Sequence, residues 1–287
     1  MAITCEELRK ATCACLVKAG SSYTPDRLAA YRRAIENETL PNSKWFLEIL
    51  LQNAEIADKE HLPLCDDTGI PHVIIRLGEQ CPVPTGWLAA IHQGVRDGLN
   101  TLPGRPMGVK GDDVQRVEQS QGLFPESDKV EVAPFILRDV PGDKIEIAVL
   151  MLGGGPEIRA RTRRIFHKRS MDKVIGEVGE WLTEEVGKLG CTPCIAAVGI
   201  GRSNVEASAT MLEAMADGSL DHQSEWEKKL TDTVNKTNVG PLGLGGKTTT
   251  VLGSFIKVGP TRASGVRVVC ARPCCTMEPR VSKVVLG

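Results

Sequence analysis

Apolar residues recur at helical spacing over residues 4–19 and 25–56, and then the pattern changes. After Leu62-Pro63-Leu64-Cys65-Asp66-Asp67-Thr68-Gly69 the chain breaks into short apolar runs punctuated by glycine and proline. A helical start followed by strands that alternate irregularly with helices specifies a mixed α/β or α+β fold without a clean βαβ repeat. His72–Leu77 reads as a strand closed by Gly78, and 84–99 as a helix. The stretch 100–128 is loop-rich, with Pro103, Gly104, Pro106, Gly108 and Gly111. Val130–Leu137 and Lys144–Leu152 predict strands joined by the turn Val140-Pro141-Gly142-Asp143. Helices are expected over 170–189, 204–217 and 220–237, and strands over Thr249–Val258 and around 266–270. No repeat or linker separates independent domains. Residues 1–287 are therefore read as one domain, with two α/β subdomains dividing near 130–160 as the finer option.

Charge excludes two function classes. Lys plus Arg number 35 against 36 Asp plus Glu, so nothing draws the chain to nucleic acid or an anionic membrane. Aromatics at 4% leave few base-stacking platforms. No apolar run approaches the roughly 20 residues of a spanning helix. The start, Met1-Ala2-Ile3-Thr4-Cys5-Glu6-Glu7, carries acid where a signal peptide carries base, so the expected location is cytoplasmic. Ten cysteines are many for a reducing compartment, which disfavours a disulfide framework and leaves metal binding or packing. Cys5, Cys13 and Cys15 fall on the first helix and Cys81 precedes a proline, all consistent with packing. The informative thiols fall in three places: Cys65, Cys191/Cys194 and Cys270/Cys274/Cys275.

Cys65 is followed at once by two carboxylates, a hydroxyl and a glycine. A thiolate binds soft metal, and an adjacent carboxylate moves protons; the same letters are also ordinary turn chemistry. Three glycine-rich segments accompany it: Gly153-Gly154-Gly155-Pro156-Glu157, Val198-Gly199-Ile200-Gly201 and Asn238–Thr248. The last ends in Gly246-Lys247-Thr248, but a phosphate-binding loop needs glycine where Pro241 stands. Gly199-Ile200-Gly201 lacks the third glycine of a dinucleotide fingerprint, since Asn204 occupies that position. A glycine turn whose lysine, Lys247, receives a carboxylate is at least as economical.

Leu64-Cys65-Asp66-Asp67-Thr68-Gly69 is similar to a Cys-Gln-Asp-Thr-Gly motif. Val140-Pro141-Gly142-Asp143-Lys144-Ile145-Glu146-Ile147, leading into the 153–157 turn, is similar to a Pro-Gly-Asp strand and a Gly-Gly-Gly-Ser-Glu turn. Cys191-Thr192-Pro193, eight residues before Gly199, matches a Cys-Pro-Pro and Gly-Ile-Gly-Gly spacing. Gly240-Pro241-Leu242-Gly243-Leu244-Gly245-Gly246-Lys247-Thr248-Thr249 is nearly Gly-Pro-x-Gly-Leu-Gly-Gly-Lys-Thr-Thr. In this order the four segments resemble the α subunit of iron–sulfur-dependent class I fumarases and L-tartrate dehydratases.

That resemblance implies a hydro-lyase acting reversibly on a small 2-hydroxy dicarboxylate. It implies a [4Fe–4S] cluster held by three cysteines, with one iron left open as a Lewis acid. Cys65 and Cys191 match ligand positions. Counting twelve residues from Arg262, where the family has histidine, reaches Cys274 as third ligand, with Cys275 and Cys270 as alternatives. Asp67 would assist the acid/base step with Thr68, while Asp66, Arg105, Gly153, Gly154, Gly155 and Lys247 would bind substrate. The resemblance also implies a separate β subunit, hence a hetero-oligomer. Departures accompany it: Asp66 replaces Gln, Leu152 stands where Lys is usual, Arg262 replaces His, and the neighbours of Arg105 do not match. Two rivals remain, a catalytically silent paralogue or assembly subunit keeping a structural metal, and a zinc- or nucleotide-binding module.

Overall fold

The computed structural model describes residues 3–246 and 250–287. In chain order the elements are α1 (Cys5–Ser21), α2 (Pro25–Asn37), α3 (Pro41–Glu60), β1 (Ile70–Gly78), α4 (Trp87–Thr101) and α5 (Asp113–Glu118). Then come β2 (Ile136–Val140), β3 (Ile145–Leu152), α6 (Gly154–Glu157), β4 (Arg161–Phe166), α7 (Met171–Val186) and β5 (Cys194–Gly201). The remainder is α8 (Asn204–Asp217), α9 (Glu225–Asn235), β6 (Val251–Val258), β7 (Val266–Cys274) and β8 (Arg280–Leu286). The fold is mixed α/β, as expected. Among the described residues no helix is long and apolar enough to cross a membrane.

Two compact units divide the chain, and each is discontinuous. The first comprises the segment up to Tyr23, Ala54–Gly153 and Arg280–Gly287; the second comprises Thr24–Asn53 and Gly154–Pro279.

In the first unit α1 opens with a capping box, in which Thr4 Oγ1 accepts the Glu7 N–H and the Glu7 carboxylate accepts the Thr4 N–H. The sheet runs β2-β1-β3-β8, with β1 parallel to β2 and antiparallel to β3, and β3 antiparallel to β8. Leu8 and Leu16 of α1 and Ile91, Val95 and Leu99 of α4 pack on Val73, Ile75, Ile147 and Val149. The register sets Ile70 against Leu152, so the turn before β1 lies beside the end of β3.

In the second unit the order is β4-β7-β5-β6, with β5 parallel to β6 and antiparallel to β7. Strand alternation sorts the two faces. Ala196 and Val198 of β5 and Val269 and Ala271 of β7 meet α7 and α9 through Val178, Leu182, Leu230 and Val234. The other face meets α8 so closely that a Cβ on Gly199 would sit 2.1 Å from the Ala207 carbonyl oxygen. Only glycine fits there.

The structure departs from the sequence expectation at five places. The periodic stretch 25–56 is two helices, because Pro41 cannot continue a helix and the Glu38 carboxylate takes the N–H groups of Thr39 and Leu40 instead. The strand expected over Val130–Leu137 lies at Ile136–Val140. β4 reads Arg-Thr-Arg-Arg-Ile-Phe, and its three arginines hide the alternation. β5 and β8 were not expected as strands, the first because its glycines read as a turn.

Candidate functional site

The first unit carries the Cys65 turn. Leu64 is buried and its N–H donates to the Gly20 carbonyl at 2.9 Å, anchoring the entry. Arg280, 2% exposed at the start of β8, anchors the exit: its Nε donates to Met151 O at 3.0 Å and its Nη1 to Asp67 O at 2.8 Å. One buried guanidinium thus ties the end of β3 to the backbone of Asp67. Cys65 and Asp67 are half-buried and Asp66 is exposed. Thr68 is buried, and its Oγ1 has no hydrogen-bond partner among the described residues.

Arg105 is brought to this turn by its neighbour. A Cβ on Gly104 would lie 2.4 Å from Thr68 Oγ1, so only glycine lets the loop after α4 rest on Thr68. Ser127 Oγ holds that loop by donating to Gly104 O at 3.1 Å. Arg105 Nη1 then reaches Asp66 Oδ2 at 3.3 Å, and both side chains stay largely in solvent. Gly153 adjoins the same turn through the β1–β3 register.

The second unit carries Cys191, Cys194, Cys274 and Cys275 at one end of its sheet. Because β7 runs antiparallel to β5, Cys274 pairs with Ile195 beside the start of β5. Cys191 is exposed just ahead of that strand. The carbonyl of Cys191 accepts the Thr276 N–H at 3.1 Å, which fastens the segment after β7 to it. Thr192 knits the edge to the glycine loop: its Oγ1 donates to Gly240 O at 2.5 Å, and its carbonyl accepts the Leu242 N–H at 2.9 Å. Lys247 lies outside the described residues. Gly154 and Gly155 are exposed, and a Cβ on either would meet nothing within 4 Å, so packing does not demand glycine there.

Three cysteines near this edge differ in what they can do. Cys274 is fully buried on the α8 face, its Sγ donating to Met215 Sδ at 3.4 Å. Burial, then the Glu278 carboxylate, push its thiol well above the ordinary range. Cys194 is also buried, and burial together with the nearby Cys275 raises its thiol to about 12. Cys275, one residue beyond the strand, is only half-buried. Among the described residues no group of three or more His, Cys, Asp or Glu is arranged to hold a metal ion.

The segment from Cys275 to Pro279 is gripped from below. Tyr31 Oη of α2 donates to Thr276 O at 2.8 Å, and Arg27 donates to the carbonyls of Thr276, Met277 and Pro279. Arg272, wholly buried on β7, pairs with Glu278 at 2.8 Å and with Glu157 of the Gly154–Glu157 turn.

A family model described as fumarate hydratase (Fumerase) matches residues 9–284. The chain belongs to the fumarate hydratase (Fumerase) family. Among relatives, a Methanocaldococcus jannaschii protein named "Putative L(+)-tartrate dehydratase subunit alpha" is 24% identical over 279 residues, covering 94% of this chain and 95% of its own. The L(+)-tartrate dehydratase subunit alpha of Escherichia coli K12 is 23% identical over 265 residues, covering 88% of this chain and 83% of its own. That of Shigella sonnei matches to the same extent.

For a fumarase-family chain the arginines Arg27, Arg272 and Arg280 are the residues that motif reading missed. For Arg272 the signal was a charge set inside apolar sequence, Val-Cys-Ala-Arg-Pro-Cys in β7, which predicts a buried ion with a partner. Arg262 precedes β7 and Cys274 ends it, so nine strand residues, roughly 30 Å at ~3.3 Å each, lie between them.

Proposed function

We propose that this chain is the α subunit of an iron–sulfur hydro-lyase that adds or removes water at a small 2-hydroxy dicarboxylate. The observation that carries the reading is the pairing of two accessible thiols at one edge: Cys191 and Cys275, joined through the Thr276 N–H to the Cys191 carbonyl. The donor set suits the cofactor, since all ten cysteines are free of disulfides and none of Cys65, Cys191 and Cys275 is fully buried. Cys65, Cys191 and Cys275 would hold a [4Fe–4S] cluster; Cys275 replaces Cys274 in this role because Cys274 points at Met215. Bound there, the cluster would supply a Lewis-acidic iron for a substrate hydroxyl and carboxylate.

The chain's own groups do the rest. Asp67, held by Arg280 at its carbonyl, carries the proton at its carboxylate. Thr68 Oγ1 is a buried donor left for a ligand. Arg105 takes a substrate carboxylate and Lys247 a second one, while Gly153, Gly154 and Gly155 admit substrate close to the backbone. Asp66 occupies Arg105 meanwhile, an intramolecular stand-in for the substrate carboxylate. Asp66→Asn is therefore expected to lower KM about two- to fivefold with kcat little changed, the exposed pair being worth at most about 1 kcal/mol. Steady-state kinetics at fixed ionic strength checks this.

A separate β subunit is the inferred partner, supported by the relatives' names, and the cytoplasm the inferred location, supported by the free thiols. Anaerobic reconstitution followed by iron and sulfide analysis, then assay with the β-like partner on malate and tartrate, tests the reading. About four irons with turnover supports it. Four irons without turnover points to a silent paralogue, and zinc or no metal sinks it.

Thiol labelling offers an independent check on the ligand choice. In the metal-free protein at pH 8, iodoacetamide is expected to modify Cys191 and Cys275 well before Cys194 and Cys274. A raised thiol stays protonated and unreactive as pH climbs through the range where ordinary thiols ionise. Peptide mass mapping over a time course reads the order.

A further inference from the structure

At the end of the second unit's sheet opposite the cysteines, cationic side chains gather without a counter-charge. β4 runs out into Phe166-His167-Lys168-Arg169, and the connection from β6 to β7 brings Arg262-Ala263-Ser264-Gly265 alongside. With Arg267 these residues line a cavity of about 880 Å³, and no carboxylate is among the described lining residues. The next acid along the chain, Asp172, is paired with Lys229.

The walls of this cavity are pre-formed. The Arg169 N–H donates to His167 Nδ1 at 2.9 Å, so the imidazole proton sits on Nε2 and donates to Ser264 O at 2.7 Å. His167 N–H also donates to Gly265 O at 3.1 Å, locking the two loops together. Lys168 and Arg169 both take left-handed backbone, φ 48° and 57°, which side-chain-bearing residues adopt only when their surroundings enforce it. Arg267 Nη1 is shut off from solvent, yet it has no hydrogen-bond partner among the described residues. Arg267 thus lines the cavity with a guanidinium not fully satisfied by the described residues, beside further cations and no lining carboxylate, a setting in which an oxyanion is the fitting partner.

We propose that this cavity binds a small polyanion, phosphate- or carboxylate-bearing, at a site separate from the cysteine edge. Arg262 and Arg267 present guanidinium forks to two oxygens of the ligand, and Lys168 and Arg169 add charge at the rim. The volume suits a molecule of several such groups rather than a single inorganic ion. The departure at Arg262, which the hydro-lyase chemistry leaves unexplained, then belongs to this second site.

Isothermal titration of the full, metal-free chain with pyrophosphate and, separately, citrate tests the proposal without depending on activity. One equivalent is expected to bind with a sub-millimolar Kd that weakens as salt rises. The better probe identifies the ligand's chemistry. Arg262→Ser combined with Arg267→Gln should weaken binding at least tenfold, with Arg267→Lys alone intermediate and unfolding midpoints confirming intact protein. Cys191→Ser and Arg105→Ser should bind as wild type does. No binding of either probe up to about 10 mM, or equal binding by the double variant, overturns the proposal.

Discussion

Cys275→Ser is expected to leave a reconstituted protein with little iron and activity reduced more than about a hundredfold, since even outer-shell partners of a metal are worth roughly 10–100-fold. Cys191→Ser should behave alike. Cys274→Ser should keep its iron and lose only the packing of a small buried thiol against Met215. The contrast is sharp because Cys274 is fully buried at the end of β7, whereas Cys275, just past the strand, is half-buried. Iron-to-protein ratio and the visible absorption of the reconstituted protein read it directly. If instead Cys274→Ser loses iron and Cys275→Ser keeps it, the assignment of the third thiolate is reversed.

The second large effect lies below the cysteines. Arg272 and Glu278 are both fully buried and ion-paired, and Arg272 also reaches Glu157. Arg272→Ala removes the buried cation that Glu278 is paired with, which is expected to cost about 3–5 kcal/mol. Chemical denaturation should show the midpoint falling with little change in slope. The double variant Arg272→Met with Glu278→Leu removes the uncompensated charge and should recover a large part of the loss. A double variant as unstable as Arg272→Ala would mean that packing, rather than charge, holds this segment. Because Glu278 follows the Cys275–Thr276 step, the single variant should also hinder cluster loading.

Much of this was legible in sequence, for reasons that can be stated residue by residue. The helices at the start showed because Leu8, Leu16 and their neighbours repeat at a helical period. The strand ending at Leu152 showed because Ile145–Leu152 is an apolar run after a Pro-Gly-Asp turn. β4 was hidden by its arginines and β5 by glycines that serve close packing rather than turning. Arg105 could be named but not placed, since what places it is the missing Cβ of Gly104 against Thr68. The choice between Cys274 and Cys275 was beyond counting residues. It turns on which of the two thiols is buried, and that depends on where β7 ends. Arg280, which anchors the exit of the Cys65 turn, is far from it in sequence.

The late position of β8 has a consequence for biogenesis. β3 must wait for β8 to pair its free edge, and Asp67 must wait for Arg280, both encoded far downstream of the turn they complete. At ribosomal rates of ~5–20 residues per second, several seconds at least separate the synthesis of β3 from that of β8. Throughout that interval the Cys65 turn on a nascent chain lacks its anchor. With the proposed cluster, metal insertion would follow completion of the chain, and cells starved of iron are then expected to accumulate a folded apo-form rather than a stalled polysome product.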